Sequence, residues 1–433
     1  MKKLSSILTA AAMVLQAGAM ELDKMQVLYV GEPGTPREQE FSGFLRKNVG
    51  EVKSVSRASF APADAAESDV VVLDWPQSQS ARLDRGVTSP LGGRQEWSKP
   101  TVLLGSAGLN LAVAWKIRGG SGCTCLYPFA YGLREHEIFE KPFPLDRSLI
   151  EERPTPSGFS AHIQSPTTPL LPLVRDTSRR WQAGWCTYND GFEANPDVEV
   201  FCGGENDKTP AAAAVWRQGN LLHFGFEQSP AEMNENGQRL LLNSISYISR
   251  FTEDRPIAVT PSVFAGPVAL PRTYLDRRLR AGGNRSESSW MVTPELYRTI
   301  NEMDASKVES WYDSVRPYLH PGSGPDPKLE IDEQARSLSA PIDQLLFFDR
   351  CLAALESADG SKARSLLARY APSGTEKHKS SSDWTNWFEE NRDYLFFSDQ
   401  GDYRWYIDPL AKKRGTPSAE LRGPSRASQK IGE

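Results

Sequence analysis

Histidine and cysteine, the residues that most often hold metals and carry redox chemistry, are scarce here: five of each in 433 residues. Five cysteines are too few, and odd in number, for a disulfide-stapled scaffold. After the amino-terminal segment no stretch reaches about 18 uncharged apolar residues, which argues against a membrane-spanning helix. An excess of basic charge is also missing. Fifty Lys and Arg stand against 55 Asp and Glu, a net −5, which argues against nucleic acid as the general partner. There is no repeat of solenoid type.

What is present starts with "MKKLSSILTAAAMVLQAGAMELD". Two lysines, an apolar run from Leu4 to Leu15 and Ala17-Gly18-Ala19 form the pattern of a secretory signal covering residues 1–19. The chain is expected to be exported, to the periplasm or the exterior. Without Lys2 and Lys3 its balance becomes 48 basic residues against 55 acidic. Export permits disulfides, and Cys186 and Cys202, flanking the turn-rich "NDGFEANPD", form the candidate pair. Cys351 lies in an apolar helical pattern and reads as a buried free thiol.

Residues 20–251 carry the signature of an α/β domain. "QVLYV" (26–30), "SDVVVLDWP" (68–76) and "KPTVLLGS" (99–106) are continuous apolar runs, as in strands covered on both faces. Helical spacing follows the first and third of them, which predicts a parallel sheet. "AAAAVWRQGNLLHFGFE" (211–227) reads as two strands about a Gln218-Gly219 turn, and residues 235–251 as a helix. Residues 252–292 are rich in Pro, Arg, Ser and Gly and read as a linker or surface strap. Residues 293–415 form a smaller, mainly helical domain. Nine of residues 384–406 are aromatic, and "YLFFS" and "YRWYI" flank "DQGD" as a hairpin would. Residues 416–433 are a short basic tail, expected to be solvated.

Three pieces in order give residues 25–251 a family resemblance. These are "QVLYVGEPGTP" leading into a helix, "HEIFEKPFPLD" (136–146), and "AVWRQGNLLHFGFEQSP" followed by a helix. Together they resemble the class I glutamine amidotransferase-like fold, in its ThuA-like (trehalose-utilisation-like) branch. The carboxy-terminal region resembles W-x-x-W and aromatic-hairpin regions of exported bacterial proteins of unassigned role. The amidotransferase resemblance implies a Cys nucleophile on a strand-to-helix turn with glycines two residues to either side. Here the matching turn is Leu104-Gly105-Ser106-Ala107-Gly108, with Ser106 in place of the Cys and Leu104 in place of one glycine. Serine needs a base within hydrogen-bond reach, and no clear His-x-Glu partner follows a later strand. Glutaminase activity is therefore not expected.

Four groups remain as candidate sites. The segment "GGSGCTCLYPFAYGLREHEIF" (119–139) places Cys123, Cys125 and His136 together. Zinc sites usually separate two cysteines by two to four residues and add a second pair, so the segment reads first as a structural loop, with metal, redox and ligand-contact roles as alternatives. His136, beside Glu137, follows a loop that would line a ligand crevice; a surface His in a charged turn is the plainer alternative. His223 lies in "LLHFGF", half-buried or ligand-facing, with Glu227 able to reach the same crevice. Trp384 and Trp387 read as core aromatics before they read as a sugar platform. No metal and no cofactor is implied. The leading reading is a non-catalytic binding or scaffold protein for a small polar molecule, a carbohydrate or an envelope protein. The alternative is a carbohydrate-active enzyme, with His136 and a carboxylate as acid and base, working in a cleft at the sheet's carboxyl edge. That alternative needs His136, His223 and a carboxylate to converge.

Overall fold

The computed structural model describes residues 21–76, 87–117, 124–160, 163–178, 184–189, 192–259, 272–280, 284–323, 327–400 and 402–418. The expected export signal, Cys123 and most of the basic tail lie outside them.

The three apolar runs form strands β1 (Gln26–Gly31), β3 (Val70–Asp74) and β4 (Thr101–Leu104), with β2 (Glu51–Ser56) at the outer edge. All pair in parallel, in the order β2-β1-β3-β4. The next strand inward is β11 (Leu221–Phe224), parallel to β4 and 120 positions away in register, with Thr101 opposite Leu221. From β11 the sheet continues antiparallel through β10 (Ala212–Gln218), β9 (Val198–Gly204), β5 (Phe129–Tyr131), β7 (Thr167–Pro172) and β6 (Glu151–Pro154). The short β8 (Thr187–Tyr188) pairs with the free end of β10. Architecture and fold class are thus α/β, a mixed sheet whose first half is parallel.

Alternation assigns the two faces. Val27, Tyr29, Val70, Val72, Val102, Leu104, Leu222 and Phe224 pack against α1 (Pro36–Arg46) and α3 (Glu235–Ile248). Leu28, Val30, Val71, Leu73, Leu103 and Leu221 pack against α2 (Ala107–Trp115). Burial on both sides explains why these strands read as unbroken apolar runs. Thr35 caps α1 by accepting from the Glu38 amide, with Pro36 in its first turn, and Asn234 caps α3 in the same way.

The strap differs from expectation in its second part. Residues 272–279 form helix α4 (Arg272–Leu279), and Leu275 and Leu279 belong to the carboxy-terminal core. Arg272 is buried with Asp343 and Asp399 as ion-pair partners. A polar, arginine-rich octet is helical here because Leu275 and Leu279 reach the core and the buried Arg272 finds the carboxylates of Asp343 and Asp399.

The second domain follows with α5 (Pro294–Glu302), α6 (Ala305–Val315), a ribbon of β12 (Leu319–Pro321) and β13 (Leu329–Ile331), α7 (Glu333–Ser337), α8 (Leu346–Ala354), α9 (Gly360–Tyr370) and α10 (Ser381–Asn391). The expected hairpin is β14 (Leu395–Ser398) with β15 (Arg404–Ile407), ahead of α11 (Pro409–Arg414). Trp384, Phe388, Phe397 and Trp405 share one core with Phe348 at its centre. Trp387 is partly buried against the same core. β14 also packs beside the 3-10 turn Phe192–Ala194 of the first domain.

Candidate functional site

The order β2-β1-β3-β4-β11 reverses between β1 and β3. In open α/β sheets the ligand crevice lies outside the carboxyl ends of the strands at such a reversal. Three strand ends and the start of α1 meet there. Tyr29 Oη donates to Asp74 Oδ2 at 2.5 Å. Arg37, in the first turn of α1, clamps Asp74 with two bonds, Nε to Oδ2 at 2.8 Å and Nη2 to Oδ1 at 3.0 Å. Its Nη1 donates to the Glu227 carbonyl oxygen at 2.6 Å, which ties β1, β3 and the end of β11 into one network. Asp74 is buried, and the clamp supplies hydrogen-bond partners to both of its oxygens. Sequence reading missed Arg37, since an Arg in a helix's first turn carries no pattern that names its partner.

The β4-to-α2 turn completes the cluster. Gly105 takes φ +49°, whereas Ser106 is an ordinary right-handed residue at φ −63°. The strained position, the one a nucleophile occupies on a strand-to-helix elbow, therefore falls on Gly105, one residue before the Ser106 that the sequence match implies. A Cβ on Gly105 would collide with the Glu227 carboxylate, lying 2.6 Å from its carboxyl carbon. The space a nucleophile's side chain would fill is taken by Glu227. Its Oε2 accepts from the Ser106 amide at 2.7 Å and from Ser106 Oγ at 3.0 Å, at the positive end of α2. Burial pushes the Glu227 carboxyl above its usual range, against the pull of Arg37. Glu227 Oε1 is shielded from solvent and has no hydrogen-bond partner.

Ser106 and Glu227 are thus brought together, 121 residues apart in sequence. The two histidines are not. His136 sits on the α3 face, against Phe201 and Tyr247, and its Nδ1 accepts from the Ile138 amide. Glu137 next to it is an ion-pair partner of Arg250 at 2.7 Å. His223 faces α2 from the opposite side of the sheet. It stacks on Trp216 with centroids 3.8 Å apart, beside Trp185, and is wholly buried with neither ring nitrogen bonded. Burial drives its pKa down to about 3, so it is neutral. Next to it, the space at Gly225 is filled by the Trp185 and Ala214 carbonyls. Convergence of His136 and His223 on one cleft does not occur.

The expected bridge between Cys186 and Cys202 is also corrected. Both are buried and neither is disulfide-bonded. Cys202 pairs with Val215 on one side of β10, while β8, which Cys186 precedes, pairs on the other. Two strand spacings put their Cα atoms about 9–10 Å apart, beyond the reach of a disulfide. Cys125, in contrast, is disulfide-bonded. Cys351 is a buried free thiol, as expected.

Among the described residues no group of three or more His, Cys, Asp or Glu is placed to hold a metal ion, and no helix is long and apolar enough to cross a membrane.

No family model and no curated protein matches the chain. Among solved structures it is similar to a Thermoplasma acidophilum protein provisionally described as a GMP synthase subunit. Identity is 11% and the TM-score 0.31, over 53% of this chain and 96% of that one.

Proposed function

We propose that the chain is an exported, non-catalytic binding or scaffold protein built on an amidotransferase-like domain of the ThuA-like kind. Its ligand is a small polar molecule, a carbohydrate or an envelope protein. The observation that carries this reading is the elbow: glycine stands at the nucleophile's position and the Glu227 carboxylate fills the vacated space. Ammonia release from glutamine tests it. Neither the parent chain nor Ser106→Ala is expected to release any above background. Turnover by the parent that Ser106→Ala abolishes would overturn the reading. Binding is tested by the rise in unfolding temperature with ligand concentration, across a panel of sugars and small polar molecules.

One observation favours the alternative of a carbohydrate-active enzyme. Glu227 and Asp74 are neighbouring carboxylates in unlike surroundings, one raised by burial and by Asp74, the other clamped by Arg37 and Tyr29. Two neighbouring carboxylates in one crevice are what an acid and a stabilising anion require. Under this reading the pair replaces the His136 pairing that the sequence suggested. Hydrolysis of a chromogenic glycoside that Glu227→Gln eliminates, with the fold intact by circular dichroism, would support it. Absence of turnover across a glycoside panel would remove it.

A further inference from the structure

The opposite, amino edge of the parallel strands carries a different arrangement. The turn Gln218-Gly219 between β10 and β11 lies there, and residues 252–259 cross it. Gly219 takes φ +58°, and a Cβ on it would collide with the backbone of Arg255 and Pro256, so the strap lies flush on the turn. The strap holds both domains. Its Ile257 amide donates to Asp197 Oδ2 at 2.8 Å, in the loop before β9. Two residues later the Val259 amide donates to Tyr406 Oη at 3.0 Å, on β15 of the second domain. Lys413 of α11 reaches back to Glu253 of the strap at 2.6 Å.

Asp197 is the unusual member. It is buried, and its second oxygen, Oδ1, has no hydrogen-bond partner within 3.5 Å, although the buried Gln218 amide, itself without such a partner, lies close enough to favour the ionised form. Across the seam Arg94, in the loop before β4, has a buried and unpartnered Nη1, and it feels the charges of Asp197, Asp402 and Tyr406. The remaining charged groups around Asp197 are already engaged. Arg217 of β10 is held by Glu199 of β9 at 2.6 Å and by Asp254 of the strap at 3.5 Å, and Arg255 of the strap bonds backbone carbonyls. Asp402 accepts from Tyr406. His136, on the α3 face, acts on the neighbouring Glu199.

We propose that Asp197 and the strap form a proton-operated latch between the two domains: with Asp197 neutral the strap seats, and with Asp197 ionised it loosens. The physical reason is the bare Oδ1. An ionised carboxylate with one oxygen desolvated and unpaired is penalised, and releasing the strap lets water reach it. Protonation removes the charge and with it the penalty. Burial places the seated carboxyl at about 6, against 3.8 for the exposed group. The released form is thus favoured as pH rises, by about tenfold between pH 5 and 7.5 on those two values.

The test is hydrogen exchange of the Ile257 and Val259 amides in the full chain from pH 5 to 8, corrected for intrinsic rates. Protection is expected to fall about tenfold from pH 5 to 7.5, while Val71 and Val102 in the sheet stay constant. Asp197→Asn should flatten that dependence, and His136→Gln should leave it unchanged. If Asp197→Asn does not fold, Arg94→Gln serves: removal of the cation that favours the ionised form should move the midpoint up. Protection in the parent that is flat with pH, or a dependence that persists in Asp197→Asn or vanishes in His136→Gln, would overturn the latch.

Discussion

Substituting Gly105 by alanine tests the claim that Glu227 fills the elbow. Two effects add. The backbone at φ +49° is strained for any residue with a Cβ, roughly 1–2 kcal/mol. The new methyl would also lie 2.6 Å from the Glu227 carboxyl carbon, so that side chain must leave. Leaving breaks two hydrogen bonds from Ser106, each charge-assisted, although the carboxylate regains water; about 2 kcal/mol is a reasonable net. Gly105→Ala should therefore destabilise by about 3–4 kcal/mol. Glu227→Ala alone should cost less, about 1–2 kcal/mol, because it also removes a buried charge. The double variant should cost less than the sum, since the methyl then has room, although the Glu227 Cα still stands 3.1 Å away. A favourable coupling of about 1–2 kcal/mol is expected, within the range for residues in contact. Equilibrium urea unfolding at pH 7.5, followed by tryptophan fluorescence, measures all three. An alanine at 105 that costs under about 1 kcal/mol, or strictly additive variants, would refute the filled-elbow account.

Trp405→Ala should lower the stability of the second domain by about 3–5 kcal/mol, because Trp405 is 3% exposed, packs on Phe348 and Phe397, and donates to the Ile342 carbonyl. Trp387→Ala, at a partly buried position, should cost about half as much in thermal unfolding; unchanged unfolding with lost retention on a polysaccharide column would show a sugar platform instead. Asp197 has its carboxyl raised in the folded state, so the stability it contributes is present below pH 3.8 and is lost as pH rises through about 6. Asp197→Asn should accordingly be more stable than the parent at pH 7.5, by up to about 3 kcal/mol, and the two should converge near pH 4. Cys186, Cys202 and Cys351 should resist alkylation in the native chain and react only on unfolding, since burial pushes the Cys202 and Cys351 thiols up to about 12. A mass-spectrometric link between the Cys186 and Cys202 peptides would contradict the strand order β8-β10-β9.

Local patterns carry the fold a long way. β1, β3 and β4 are legible because burial on both faces leaves unbroken apolar runs, and α3 because Leu240, Leu241, Ile245 and Ile248 recur at helical spacing. The hairpin β14–β15 is legible from two aromatic runs about a polar turn. α4 is hidden, because the carboxylates that hold its Arg272, Asp343 and Asp399, lie far away in sequence. The candidate site is legible in pieces only. Ser106, Glu227, His136 and His223 can each be named, but periodicity does not say which face of a sheet a distant residue will reach. Hence sequence groups His136 with His223 although the sheet separates them, and it gives Ser106 no partner although Glu227 meets it. The Cys186 and Cys202 pairing fails for a related reason: a turn-rich loop suggests closeness, and the intervening β10 is not visible from spacing.

The position of β11 has a consequence for how the chain is made. This strand joins the parallel half of the sheet to the antiparallel half, and it is the last of the eleven to leave the ribosome. Until about residue 224 is available, β4 presents an open, mostly apolar edge and the strands β5 to β10 have nothing to dock on. Pairing across a separation of 120 residues is slow to find, and an uncovered edge of this kind invites other chains to add to it. Biogenesis of this protein therefore depends on keeping the first hundred residues from pairing elsewhere until the keystone strand arrives.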